Sequence, residues 1–268
     1  MKAAGIVAVA VFRESVRDKV FYNLVLFAVL LVGASILIGQ LTAGQDVKII
    51  KDLGLTATSV FGLFIAIFVG ISLVSKEVDR RSVYPLLAKP IRRSELIAGK
   101  YAGLLLTLLV NTIVMTVALY GVLFFLARGV PENVQRAWDT PALDPALLKA
   151  IALIYVDVAV VTAVALFFSS YSSPMLSAVF TLGVYLVGQF NADLKRFDQI
   201  VDAPAAIYLA RAAYYVLPDF ARFDVKLAVV HGIPVTPGYM AASALYALAY
   251  IAALLLGAMA IFSRRDFK

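Results

Sequence analysis

Uncharged apolar runs of membrane length alternate with short charged segments along this chain. Residues 21–41, 53–74, 101–127 and 239–262 each form such a run, and residues 150–192 carry one charge, Asp157, over a length sufficient for two. A helix rises 1.5 Å per residue, so about 20 apolar residues cross the hydrocarbon core of a bilayer. Ser169-Ser-Tyr-Ser-Ser-Pro174 is the natural break in the fourth stretch, giving two antiparallel helices joined by a tight turn. The pattern predicts an all-α polytopic membrane protein with six transmembrane helices in a single domain, residues 1–268.

The segments between the runs are patterned too. Residues 1–11 form a short apolar stretch after Lys2, but charged Arg13, Glu14, Arg17, Asp18 and Lys19 follow in place of a convincing cleavage site. Ile6, Val9, Phe12, Val16 and Val20 recur at helical spacing, so residues 1–20 read as an amphipathic helix lying along the membrane surface. Asp46, Lys48, Lys51 and Asp52 read as a short outer loop. Residues 128–149 read as another, with three prolines and the only tryptophan, Trp138, as interfacial anchor. Residues 191–238 form the longest polar segment. Within it residues 203–217 are apolar, interrupted by Arg211 and too short to span, which suits a re-entrant or interfacial helix. Gly99 and Gly103 make a G-x-x-x-G, which permits close helix contact, most simply within the subunit.

One polar island stands out, SKEVDRRSVYPLLAKPIRRSELIAGK, from Ser75 to Lys100. It holds Lys76, Arg80, Arg81, Lys89, Arg92, Arg93 and Lys100, and such basic clusters beside spans mark the cytoplasmic face. Six spans then put both termini on that side, with 14 of the 24 basic residues in its shorter segments. Glu77 can reach Arg80 and Arg81 along a helix, so the second span continues as a polar helix. Pro85 and Pro90 bracket Leu86-Leu87-Ala88, and Ser94 with Glu95 is suited to start the next helix. A short charged segment with a proline-bracketed apolar tip between two long helices is a docking device for a soluble partner.

Composition narrows the chemistry. At 62% hydrophobic residues and a mean hydropathy of +0.91, the chain far exceeds a soluble domain. The net charge of +7 is accounted for by the cytoplasmic basic residues, so no nucleic-acid partner is expected. There is no cysteine and one histidine, His231, which argues against disulfides, iron–sulfur clusters and His-based metal sites. No G-x-x-x-x-G-K-[ST], H-E-x-x-H or G-x-S-x-G occurs, so the chain has no phosphate loop for ATP and no familiar catalytic motif. Asp157 lies about 12 Å into its helix, near the bilayer middle, where carboxylates are costly and usually functional. It either serves a transport pathway or bonds a neighbour such as Asn111 or Thr112. An ion-coupled transporter or an intramembrane enzyme using Asp157 are the competing readings.

The run EVDRRSVYPLLAKPIRRSELIAGK resembles the loop after the second span of ABC-2 type permeases. FFSSYSSPMLSAVFTLGVYLVG, YYVLPDFARFDVK and the RRD near the C-terminus also resemble stretches of that family, and the chain is similar to its members associated with multi-copper enzyme maturation. The resemblance implies a permease subunit of an ATP-driven exporter in the cytoplasmic membrane of a bacterium or archaeon. It implies an N-terminal elbow helix (1–20), a coupling helix (76–98) and extracytoplasmic helices before the last span (191–238). The chain would bind no cofactor itself; ATP and Mg²⁺ would sit on a separate ABC ATPase, two permeases pairing with two ATPases. Glu77, Arg80, Arg81, Tyr84, Pro85, Leu86, Leu87, Lys89 and Pro90 would form the docking surface. Membrane lipids complete the partners.

Overall fold

The computed structural model describes residues 2–40, 46–79, 93–135, 138, 140–199 and 203–264, and contains no strand among them. The principal described helices are α1 (Lys2–Val16), α2 (Lys19–Gln40), α3 (Asp46–Asp79), α4 (Arg93–Gly129), α5 (Leu147–Ser169), α6 (Pro174–Gln189), α7 (Pro204–Val216) and α8 (Pro237–Arg264). Four stretches are long and apolar enough to cross a membrane: Asp46–Ile71, Ser94–Gly129, Leu147–Ser169 and Pro237–Ile261. Helices α2 and α6 carry shorter apolar stretches, Leu24–Ser35 and Pro174–Gln189.

The turn between α5 and α6 falls at the expected serines. The Ser170 amide donates to the Leu166 and Phe167 carbonyls, closing α5. Ser173 is extended, and Pro174 opens α6, where a missing amide hydrogen leaves nothing unpaired. The segment 46–52, by contrast, is not a loop: it forms the first turns of α3. Asp46 complements the positive end of the helix. Lys51 is fully buried, and its Nζ donates to Thr140 Oγ1 and to the Pro141 carbonyl, each at 2.8 Å. Those acceptors are what allow charged residues into the helix.

Close contacts fix the direction of each helix. A methyl built on Gly62 would meet Val158 Cγ1 at 3.1 Å, and one on Gly70 would meet Ala165 Cβ at 3.9 Å, so α3 and α5 run side by side in the same direction. Tyr101 donates to the Ala159 carbonyl and Tyr155 to the Leu105 carbonyl, both at 3.1 Å, which sets α4 antiparallel to α5. Gly257 of α8 lies against Phe167, near the end of α5. One end of the bundle therefore gathers the end of α3, the start of α4, the α5–α6 turn and the end of α8. This is the basic end. The segments 130–146 and 190–236 lie at the far end.

Helix α5 is the central element. Val160, Val161, Ala163 and Ala165 are fully buried, as expected of a helix apolar on every side. Helix α1 lies along the start of α4 in the same direction. Methyls at Gly99 and Gly103 would sit 2.7 Å and 2.6 Å from the carbonyl oxygens of Ala4 and Ala8, so the G-x-x-x-G serves packing within the subunit. The face α1 buries is Val7, Ala8, Val11 and Ser15, whereas Ile6 and Val9 of the stripe read from sequence are exposed.

Candidate functional site

Asp157 stands ten residues into the 23-residue helix α5, about 15 Å along it. It is 5% exposed, and its Oδ1 has no hydrogen-bond partner. Around it, α3 contributes the buried Ser59, one turn before the Gly62–Val158 contact. Helix α6 contributes Tyr185, a part-buried phenol that feels the charge of Asp157. Lys226 and Asp224, both at the far end, lie close enough for their charges to be felt at Asp157. They pair with each other at 3.4 Å, their side chains 20% and 45% exposed.

That ion pair ends a built segment at the far end. With 16 residues, α6 rises only about 24 Å, short of a bilayer core of about 30 Å. Residues 217–225 fold in above its end. Phe220 and Phe223 are almost fully buried, and the Phe220 ring lies 5.1 Å from that of Tyr185. The Phe220 amide donates to the Gly188 carbonyl at 3.2 Å. Any side chain at Gly188 would collide with the Pro218 carbonyl and the Phe220 ring.

Three tyrosines of α8 hold this segment from the side. The Asp219 amide donates to Tyr246 Oη at 2.8 Å. Tyr250 donates to the Leu217 carbonyl at 3.1 Å and Tyr239 to the Arg222 carbonyl at 2.6 Å. The Arg222 guanidinium lies 4.6 Å from the centre of the Tyr246 ring, a cation–π contact. On the other side of Asp157, towards the basic end, Val160, Val161 and Val164 are buried.

Asn111 and Thr112 are buried residues of α4. Asn111 is buried with Oδ1 unpartnered, and Thr112 donates to the Leu108 carbonyl at 2.9 Å. No hydrogen bond joins Asp157 Oδ1 to either residue. His231 is an exposed loop residue whose Nδ1 lies 3.0 Å from the Leu227 carbonyl. Among the described residues no three His, Cys, Asp or Glu side chains gather as a metal site.

Of the predicted docking residues, Glu77 lies in the last turns of α3, which continues eight residues beyond the apolar stretch ending at Ile71. Arg80, Arg81, Tyr84, Pro85, Leu86, Leu87, Lys89 and Pro90 lie outside the described residues. Sequence reasoning missed the roles of Ser59, Tyr185 and the α8 tyrosines. The spacing of Tyr246 and Tyr250, four apart on one helix face, was the available signal.

Membrane-length helices wrapped around a buried central helix that carries one carboxylate define a multi-pass membrane protein. The chain belongs to the ABC-2 family transporter proteins, whose family model matches residues 6–267. It is an ABC-2 type permease, the multi-pass membrane component of an ABC transporter. No curated protein matches the chain.

Proposed function

We propose that this chain is the membrane-spanning permease of an ATP-driven exporter, forming its pathway as a dimer and driven by a separate ABC ATPase. The observation that carries this reading is the family match over residues 6–267 of a chain whose sequence contains no phosphate loop. Helices α2, α3, α4, α5, α6 and α8 are its six spans, and α1 is the elbow helix held on α4. The basic end is cytoplasmic, because the Lys- and Arg-rich island between α3 and α4 belongs there. The far end is then extracytoplasmic, with α7 and residues 217–226 as its re-entrant cover. The ATPase docks on residues 76–98, with Glu77 at the base and the apolar tip Leu86-Leu87 between Pro85 and Pro90 inserted into its groove. ATP and Mg²⁺ bind on that subunit.

Hydrolysis by the purified components tests the assignment. The isolated chain hydrolyses no ATP, co-purifies with an ABC ATPase when the two are expressed together, and moves cargo in vesicles only with ATP. Hydrolysis by the chain alone, or transport driven by an ion gradient without ATP, contradicts it.

A further inference from the structure

We propose that Asp157 is a proton-binding carboxylate loaded from the extracytoplasmic side, and that residues 217–226 are the gate that closes over it. The side assignment rests on the orientation proposed above; the binding site itself does not depend on what drives transport.

The argument begins with charge. Asp157 is nearly fully buried and Oδ1 receives no hydrogen bond. An ionised carboxylate so placed is strongly disfavoured without a cation or donors to satisfy it. Lys226, at the end of the segment over it, is already paired with Asp224. From the elements around it, α3 offers the neutral Ser59 and α6 the Tyr185 phenol; on α4, Tyr101 is committed to the Ala159 carbonyl. A bound proton is what leaves the site neutral in this closed arrangement.

Geometry gives the route. Towards the cytoplasm Asp157 is followed by the buried apolar Val160, Val161 and Val164 of its own helix. Towards the outside, the barrier is a short irregular segment seated on Gly188 and Tyr185 and clasped by Tyr239, Tyr246 and Tyr250. It ends in the partly exposed Asp224–Lys226 pair. Lifting the segment admits water, and the proton passes from the carboxyl to that water, giving carboxylate and hydronium. Reseating it requires the reverse transfer. One outward opening is thereby linked to one proton exchanged with the extracytoplasmic side. No other bond changes.

Infrared spectroscopy of the full chain in oriented proteoliposomes tests this without an ATPase. At neutral pH the spectrum contains a protonated-carboxyl stretch that is missing in Asp157→Asn, and external D₂O shifts it faster than D₂O inside. The double variant Tyr246→Phe/Tyr250→Phe, which keeps Asp157 but loosens the clasp by two hydrogen bonds, speeds that exchange by about tenfold. A spectrum with no band assignable to Asp157 overturns the proposal, as does exchange equally fast from inside or unchanged exchange in the tyrosine variant. Each of these outcomes leaves the ATPase assignment standing, since none involves ATP.

Discussion

The carbonyl oxygen of Ala8 occupies the space where a side chain at Gly103 would begin: a methyl there would lie 2.6 Å away. The Ala4–Gly99 pair repeats the arrangement one turn earlier, with α1 and α4 in backbone contact at both points. A backbone oxygen cannot swing aside as a flexible side chain can. Gly103→Leu therefore separates α1 from α4 and lowers stability by about 1–3 kcal/mol, read as a drop in the thermal midpoint of the detergent-solubilised protein. Gly121→Ala, where nothing lies within 4 Å, leaves the midpoint unchanged. A Gly103→Leu protein as stable as the parent would remove α1 from this position.

The buried Lys51 gives a second test. Its Nζ serves Thr140 Oγ1 and the Pro141 carbonyl, tying α3 to the segment before α5. Lys51→Met keeps the stem and removes the donors, leaving the buried Thr140 hydroxyl without its partner at a cost of about 1–3 kcal/mol. Thermal unfolding should show the loss, and amides near Thr140 should exchange faster. Unchanged values for both would mean that the ammonium contributes nothing there.

A third prediction concerns the cover over Asp157. Tyr246→Phe retains the ring beneath Arg222 but removes the acceptor for the Asp219 amide. The lost hydrogen bond is worth about 0.5–1.5 kcal/mol. Hydrogen exchange at Asp219 and its neighbours should accelerate accordingly while α5 amides stay protected. Equal exchange in mutant and parent would show that the tyrosine does not hold the segment.

How much of this was legible beforehand follows from the physics of each element. The break at residues 169–174 was, because serines and a helix-opening proline interrupt an otherwise uncharged run. The last span, read as 239–262, is Pro237–Arg264. The start of α3 was not, because the acceptors that accommodate Lys51 lie 89 and 90 residues away in sequence. The buried face of α1 was misread because its first 11 residues are apolar nearly all round; spacing alone cannot choose between Ile6–Val9 and Val7–Ala8–Val11. The small residues across from it, Gly99 and Gly103, held the answer. Asp157 was conspicuous from its charge, but its surroundings were not. Tyr185, Ser59 and residues 217–226 come from three separate stretches, and only the fold brings them together.

The central claim is that this permease is worked by an ATPase docked on the loop between α3 and α4, and binding to that loop tests it most directly. Burial of Leu86 and Leu87 would contribute about 1.5–3 kcal/mol each, and the flanking prolines fix the backbone that presents them. The measurement is the amount of ABC ATPase retained on the purified permease carrying Leu86→Asp and Leu87→Asp, alongside Arg92→Gln/Arg93→Gln as comparison. The account predicts that the leucine variant inserts and dimerises normally but binds no ATPase and transports nothing, while the arginine variant loses little. A leucine variant that retains its ATPase and transports at the parent rate would contradict it.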